Sequence, residues 1–312
     1  MVSEAMLPRA AVKEVEARLT AAGCPDADFD ARELFRLATG RDVRLSDRPL
    51  DAAEAAKLEE LTVRRAAREP LQYLCGSWPF LDFELAVGPG VLCPRADTEV
   101  VAETAAEMLA GVEAPRVLDL CAGTGCLGLG VKRLCPAAQV VCVEKSPEAY
   151  VYLEKNTRLA LKGRGGSTEN VLDASPFEEP AFDWGMKPTR AAEPVEGDLF
   201  TYWETLPEGQ LDLIVSNPPY VPQSDLAAMH ANVRGYEPRE ALFVPDDDAL
   251  RFYRAIARAG RRMLRPGGKL YFEIYERSAG QMRLLLGEEG YTDTEVREDL
   301  NGKPRMVCSR MK

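Results

Sequence analysis

Arg116-Val117-Leu118-Asp119-Leu120-Cys121-Ala122-Gly123-Thr124-Gly125-Cys126-Leu127-Gly128 is the stretch whose reading decides the fold. An apolar run of strand type enters a turn with two glycines, and the residues that follow, to about Leu134, resume at helical spacing. After Pro136 the pattern repeats. Val140-Val141-Cys142-Val143 reads as a second buried strand, ends in Glu144 and passes into a helix over 147–161. Strand, helix, strand, helix implies a parallel sheet covered on both faces, and such sheets bind ligands beyond the carboxyl ends of their strands. Gly123 and Gly125 lack a Cβ, so the backbone there can approach a ligand closely. Glu144 lies about twenty residues beyond the turn, where an acid can accept from both hydroxyls of a ribose.

The turn does not read as a phosphate binder. Cys121-Ala122-Gly123-Thr124-Gly125 supplies G-x-G without the third glycine of G-x-G-x-x-G, and no Walker lysine follows. A glycine turn with a ribose acid and no pyrophosphate fingerprint suits a nucleoside-type cofactor such as S-adenosylmethionine. The competing reading is a purely structural glycine turn between strand and helix.

Downstream, Leu211 to Ser216 reads as a further buried strand that stops at Asn217-Pro218-Pro219-Tyr220-Val221-Pro222. Each proline fixes φ and lacks an N–H, and the residue before a proline is pushed out of the helical region, so Asn217 is expected extended at the strand end. The Asn217 amide oxygen and the Pro218 carbonyl can then form a rigid acceptor pair for an –NH2 group, with Tyr220 as an aromatic cover over a planar substrate. The bland alternative is an ordinary loop after a strand.

Outward from these two turns, residues 1–70 show helical spacing over Ala11 to Leu19, Phe29 to Leu37 and Ala52 to Ala66, a small helical domain with solvated charged faces, suited to partner contact. Residues 71–96, rich in aromatics and broken by Gly76, Pro79, Gly88, Pro89 and Gly90, read as a β-hairpin linker whose aromatics are expected mainly in the core. A helix follows to about Leu109, capped by Asp97 or Thr98. The remaining chain, 97–312, forms the sheet domain. Within it, Lys162 to Glu196 reads as a long loop or insertion, and Gly197-Asp198-Leu199-Phe200 marks the end of a third strand. Asn232 to Leu242 is polar and turn-rich, and is expected to fold over the site. A helix over 247–264, a tight turn at Arg265-Pro266-Gly267-Gly268, a strand from Lys269 to Ile274, a helix over 277–286 and an edge hairpin of 292–296 with 304–308 complete the reading.

Composition narrows the function. Of 312 residues, 39 are Lys or Arg against 50 Asp or Glu, a net charge of −11 that argues against a protein held mainly by nucleic-acid phosphates. Eight cysteines are scattered without a CxxC, and His230 is the single histidine, so a metal site is not expected and the usual general base is missing. The N-terminal residues show no secretory pattern and no run reaches membrane-spanning length. A cytoplasmic protein without membrane contact is expected, and a monomer is the working expectation.

These residues together resemble the PrmC/HemK family, the methyltransferases that modify the glutamine of the Gly-Gly-Gln loop in peptide chain release factors. The resemblance rests on Arg68-Glu69-Pro70-Leu71-Gln72-Tyr73, Pro94-Arg95-Ala96-Asp97-Thr98-Glu99, the glycine turn, Asn217-Pro218-Pro219-Tyr220 and Val233-Arg234-Gly235-Tyr236-Glu237-Pro238, in that order and across nearly the whole chain. It implies a seven-stranded Rossmann-like domain of α/β class behind a small helical domain. It implies S-adenosylmethionine against Cys121, Ala122, Gly123, Thr124 and Gly125, its ribose on Glu144, its adenine side near Asp198 and Leu199, Asn217 touching both cofactor and substrate, and the glutamine amide at Asn217 to Tyr220. Three departures stand out: Cys121-Ala122 where Gly-Thr is frequent, Ala96 where proline is usual, and a longer 162–196 connection. Three other readings stay open, namely glutamine methylation of a ribosomal protein, amino-group methylation of adenine or guanine in nucleic acid, and a binding protein that has lost turnover.

Overall fold

In the computed structural model, residues 2–160, 192–299 and 301–312 are described. The greater part of the segment expected as a long loop, 161–191, lies outside them. The chain divides into two compact units, Met1–Ser77 with Ala228–Glu237, and Trp78–Ala227 with Pro238–Lys312.

The first unit holds α1 (Pro8–Ala21), α2 (Ala27–Thr39), α3 (Ala52–Ala66) and α4 (Leu71–Cys75). Helix α3 starts at a capping box: the Asp51 side chain accepts from Glu54 N, and the Glu54 carboxylate accepts from Asp51 N, which satisfies two otherwise unpaired amides. Leu19, Leu34, Phe35, Leu58 and Leu61 are buried between the helices. The charge on these helices is not all solvated, because Arg65 Nε donates to Asp30 Oδ2 at 2.7 Å with both side chains buried. The Tyr236 hydroxyl donates to the Ala67 carbonyl, which ties Ala228–Glu237 into the same unit.

The second unit opens with the hairpin of β1 (Ser77–Phe80) and β2 (Phe83–Ala86). The strand pair is shorter than the expected 71–96 linker, whose first residues form α4. Phe80 and Phe83 meet edge to face at 5.8 Å in the core. Then come α5 (Ala96–Glu107), β3 (Arg116–Leu120), α6 (Cys126–Leu134), β4 (Gln139–Glu144), α7 (Pro147–Ala160), β5 (Glu193–Glu196), β6 (Leu211–Ser216), β7 (Val221–Pro222), α8 (Ala231–Tyr236, in the first unit), β8 (Phe243–Val244), α9 (Arg251–Met263), β9 (Leu264–Glu273), α10 (Ala279–Glu288), β10 (Thr292–Glu298) and β11 (Pro304–Arg310).

Seven strands form one sheet in the order β10-β11-β9-β6-β3-β4-β5. The five from β9 to β5 run parallel, and the β10–β11 hairpin adds antiparallel at one edge. Side chains alternate across it. Val117, Val140, Cys142, Leu213, Val215 and Tyr271 join the apolar cluster that includes residues of α5 and α6, while Leu118, Val141, Val143, Ile214, Leu270 and Phe272 join the cluster that includes residues of α9 and α10. Chain order reverses between β3 and β6, since β4 and β5 are added on one side of β3 and β6 and β9 on the other, and sheets of this class bind ligands at that position.

Several boundaries depart from the sequence reading for identifiable reasons. Residues 193–196, expected within the loop, pair in parallel with β4 as the strand β5. Neither Asp97 nor Thr98 caps α5, whose N-cap is Arg95, because the Thr98 hydroxyl is spent on Glu273. Strand β9 runs through the expected tight turn, where Gly267 N donates to Met311 O and Met311 N to Gly268 O. Helix α9 begins at Arg251, after a turn in which Asp248 N donates to Pro245 O.

Candidate functional site

Two turns leave the sheet at the switch point. The first, after β3, carries three positive φ values in five residues: Cys121 (62°), Gly123 (56°) and Gly125 (81°). The two glycines serve different ends. A Cβ on Gly125 would lie 2.6 Å from Leu153 and 3.1 Å from Leu129, so its absence lets α6 and α7 pack, whereas a Cβ on Gly123 would meet only Val91 at 3.8 Å. Cys121 adopts the left-handed conformation with a side chain, a strain of about 1–2 kcal/mol. Asn156, fully buried on α7, secures the turn: its amide donates to Thr124 O and Ala86 O, and its oxygen accepts from Ala86 N.

At the end of β4, the Glu144 carboxylate binds back onto this turn. Oε2 accepts from Gly123 N at 2.8 Å, and Oε1 accepts from Lys145 N at 2.8 Å and Ser146 N at 2.7 Å. Beneath them Asp119, on β3, is 1% exposed. Its Oδ2 accepts from Gly128 N at 2.8 Å, and its Oδ1 has no hydrogen-bond partner among the described residues. Burial pushes this carboxyl up to about 8, with the Gly128 N–H opposing and the Glu144 charge adding to the rise.

These groups surround a cavity of about 490 Å³. Cys121 to Thr124, Asp119, Glu144, Asp198, Leu199 and Asn217 all line it, so most of the expected site residues are brought to one place. At Asp198, partial burial opposes ionisation, but the Lys145 ammonium at 2.8 Å and the Phe200 N–H outweigh it and hold the carboxyl below its usual value. Next to Leu199, the Arg251 guanidinium lies 5.6 Å from the Phe200 ring and 5.3 Å from the Phe252 ring, making an aromatic and cationic wall. Of the segment expected to fold over the site, Pro238, Glu240 and Ala241 line the cavity, while Ala231–Tyr236 belongs to the first unit.

The second turn, Ser216 to Tyr220, behaves differently. Asn217 and Pro219 line the cavity; Pro218 and Tyr220 are not among its walls. Tyr220 faces a second, more polar cavity of about 370 Å³, with Asp225, Asp246, Tyr275 and Arg277. Its ring stacks on Tyr275 at 6.2 Å, and its hydroxyl donates to Glu273 Oε1 at 3.2 Å. An aromatic cover over the first cavity is therefore not what this ring forms here. Glu273 is 2% exposed and also accepts from the Thr98 hydroxyl at 2.8 Å.

The sequence reading passed over Asp119, Asn156 and Glu273. For Asp119 and Glu273 the signal was an acid in an apolar stretch of strand, which must find a partner when buried; Asn156, in a helix with Glu154, Lys155 and Arg158, gave no such signal.

Two family models match the chain: the PrmC N-terminal domain over residues 10–76, and the TRM5/TYW2 methyltransferase domain over residues 99–165. A release factor glutamine methyltransferase of Geobacter sulfurreducens is 38% identical over 268 residues, which cover 85% of this chain and 81% of that protein. The chain belongs to the release factor glutamine methyltransferase family. Within that family, a Bacteroides thetaiotaomicron member is 33% identical over 95% of this chain and 93% of its own length, and a Streptomyces coelicolor member 33% identical over 96% and 97%. The match to release factor glutamine methyltransferases thus takes in both units and both turns. No helix among the described residues is long and apolar enough to cross a membrane.

Proposed function

We propose that this chain transfers a methyl group from S-adenosylmethionine to the side-chain amide nitrogen, N5, of the glutamine in the Gly-Gly-Gln motif of peptide chain release factors, and that it meets them in the cytoplasm. The observation that carries this reading is the convergence of Asn217, Glu144 and the half-satisfied Asp119 on one cavity.

The residues present fit the cofactor. The unpartnered Asp119 Oδ1 is a buried acceptor suited to an ammonium group such as that of a methionyl moiety. Glu144 Oε1 already accepts two amides, while Oε2 accepts one and keeps a lone pair for a ribose hydroxyl, and Asp198, Leu199 and the Phe200–Phe252–Arg251 wall suit a planar, electron-rich base. When bound, S-adenosylmethionine supplies an electrophilic methyl group on a sulfonium.

An amide nitrogen is a poor nucleophile because its lone pair is delocalised into the carbonyl. In this reading the Asn217 side-chain oxygen accepts one N–H of the substrate amide and the Pro218 carbonyl the other, which fixes the nitrogen's direction of attack. As the nitrogen gains positive character, both acceptors interact with it more strongly than with the ground state. No strong base is required: His230 is absent from the cavity walls, and the proton leaves to solvent after transfer. Tyr220 contributes by stiffening the turn from behind. The helical unit is left to shape partner choice, and no direct nucleic-acid contact is part of the reading.

The test is mass spectrometry of a purified release factor after incubation with the protein and S-adenosylmethionine, with Asn217→Ala in parallel. One added methyl on the Gly-Gly-Gln glutamine, lost with the variant, is expected. An unmodified release factor beside a methylated ribosomal protein or nucleic acid would move the assignment to that substrate.

A further inference from the structure

The carboxyl end of β9 carries a buried acid that the reaction outlined above does not use. Glu273 ends β9 between the fully buried Leu270, Tyr271 and Phe272 and the fully buried Ile274 that follows, and a carboxylate in that setting is retained only with partners. It has them on two sides. Oε2 accepts from the hydroxyl of Thr98, on the first turn of α5, at 2.8 Å, and Oε1 accepts from the hydroxyl of Tyr220 at 3.2 Å. Its own main-chain carbonyl accepts from the buried Tyr253 hydroxyl at 2.9 Å, so the backbone beneath the carboxylate is held as well. Arg305 adds positive charge nearby and is itself bonded to Asp299 at 3.2 Å and paired with Asp97 at 3.6 Å.

The two hydroxyls belong to different parts of the site. Thr98 lines the 490 Å³ cavity beside Arg95, and Tyr220 closes the Asn217-Pro218-Pro219 turn against the second cavity. Between Tyr220 and Asn217 stand two prolines with fixed φ, so that a displacement of the tyrosine has little backbone freedom to absorb it before it reaches the Asn217 amide. Tyr220 stacking on Tyr275 limits its sideways movement, and the Glu273 bond fixes its depth.

We propose that Glu273 is a positioning residue for methyl transfer: through Tyr220 it sets the placement of the Asn217 acceptor, and through Thr98 it locks that placement to the rim of the cofactor cavity. This inference rests on the assignment of Asn217 as the amide acceptor. It makes Glu273 neither a base nor a ligand of either substrate. Its contribution belongs to turnover, since the groups that face a bound cofactor at Glu144, Asp119 and Asp198 are held by other bonds.

The experiment measures kcat, both KM values and cofactor affinity for Glu273→Ala, Glu273→Gln, Tyr220→Phe and the double variant Glu273→Ala with Tyr220→Phe, using purified release factor and S-adenosylmethionine, with thermal melting of each variant. Glu273→Ala and Tyr220→Phe are each expected to lower kcat about tenfold, the scale of lost orientation, with cofactor affinity held. Glu273→Gln keeps an acceptor for the tyrosine and is expected to recover most of the loss. The double variant is expected to be no slower than its slower parent, as for two groups acting through one bond. Losses that multiply in the double variant, a Gln variant as slow as the Ala one, or a loss confined to cofactor affinity would overturn the proposal. Where Glu273→Ala does not fold, Tyr220→Phe and Thr98→Val decide: unchanged kcat in both overturns it. Asn217→Ala at full turnover would instead remove the amide-acceptor reading, an outcome separate from any result at Glu273.

Discussion

The turns after β3 and β6 stand side by side at the carboxyl ends of neighbouring strands, yet they are built on opposite principles. The first is made of residues with permissive or strained backbone, Cys121, Gly123 and Gly125, and is held by carboxylates from beneath and beside it. One of those carboxylate oxygens, Asp119 Oδ1, has no hydrogen-bond partner among the described residues. The second is stiffened by consecutive prolines, and the acid behind it, Glu273, has both oxygens bonded. A buried acceptor without a partner costs about 1–3 kcal/mol, so the first turn carries a deficit that a cationic ligand removes, whereas the second arrives complete. The contrast teaches which turn should control binding and which should control turnover.

The strongest way to break that division is at Asn217. Asn217→Ala is expected to raise the barrier to methyl transfer by about 2–4 kcal/mol, the scale of losing one oriented polar group, while leaving cofactor affinity intact. Calorimetry with S-adenosylmethionine alongside single-turnover rates would check it, and a matching loss of affinity would blur the two roles. The converse belongs to Glu144. Glu144→Ala is expected to weaken cofactor binding by about 1.5–3 kcal/mol, as for bonds to a charged group, with kcat at saturating cofactor much less affected.

Gly128→Ala probes the first turn through packing. Its Cβ would fall 2.5 Å from Cys142 Sγ and 2.9 Å from Asp119 Oδ2. A destabilisation of about 1–3 kcal/mol in denaturant unfolding is expected from such overpacking, and an unchanged midpoint would show that Asp119 can shift freely.

The subtlest effect depends on pH. Burial pushes Asp119 up to about 8 in the folded state, well above the ordinary carboxylate range. The folded protein therefore binds this proton more tightly than the unfolded chain. The stability it contributes is full below the unfolded value and is lost as pH rises through about 8. Asp119→Asn lacks that titration, so the melting temperature of the ligand-free variant should gain on wild type between pH 5 and pH 8. A difference that stays flat across that range would mean that the carboxyl is ionised throughout.

Much of this arrangement was legible before any coordinates. The β3 turn, with Glu144 at the end of the next strand, followed from strand and helix periodicity, and the β6 turn from the stiffness of Asn217-Pro218-Pro219. What escaped was whatever depended on contacts distant in sequence. Thr98 reads as a helix cap because capping is a local property, but Glu273 lies 175 residues away and claims its hydroxyl. Tyr220 reads as a cover for the substrate because aromatic rings stack on planar groups, but Tyr275 occupies that face. Residues 193–196 carry too little apolar character to announce a strand, and they form one because β4 offers its free edge.

The threefold amide grip on Glu144 has a consequence for the speed of association. A carboxylate on a free side chain must be immobilised when a ligand arrives, an entropy loss of about 0.5–1.5 kcal/mol per side chain that appears in the encounter itself. Here Gly123, Lys145 and Ser146 have already arrested it during folding. On the proposed assignment of Glu144 to the ribose, a ligand hydroxyl would meet a carboxylate already held in place, with no search among rotamers to slow its capture.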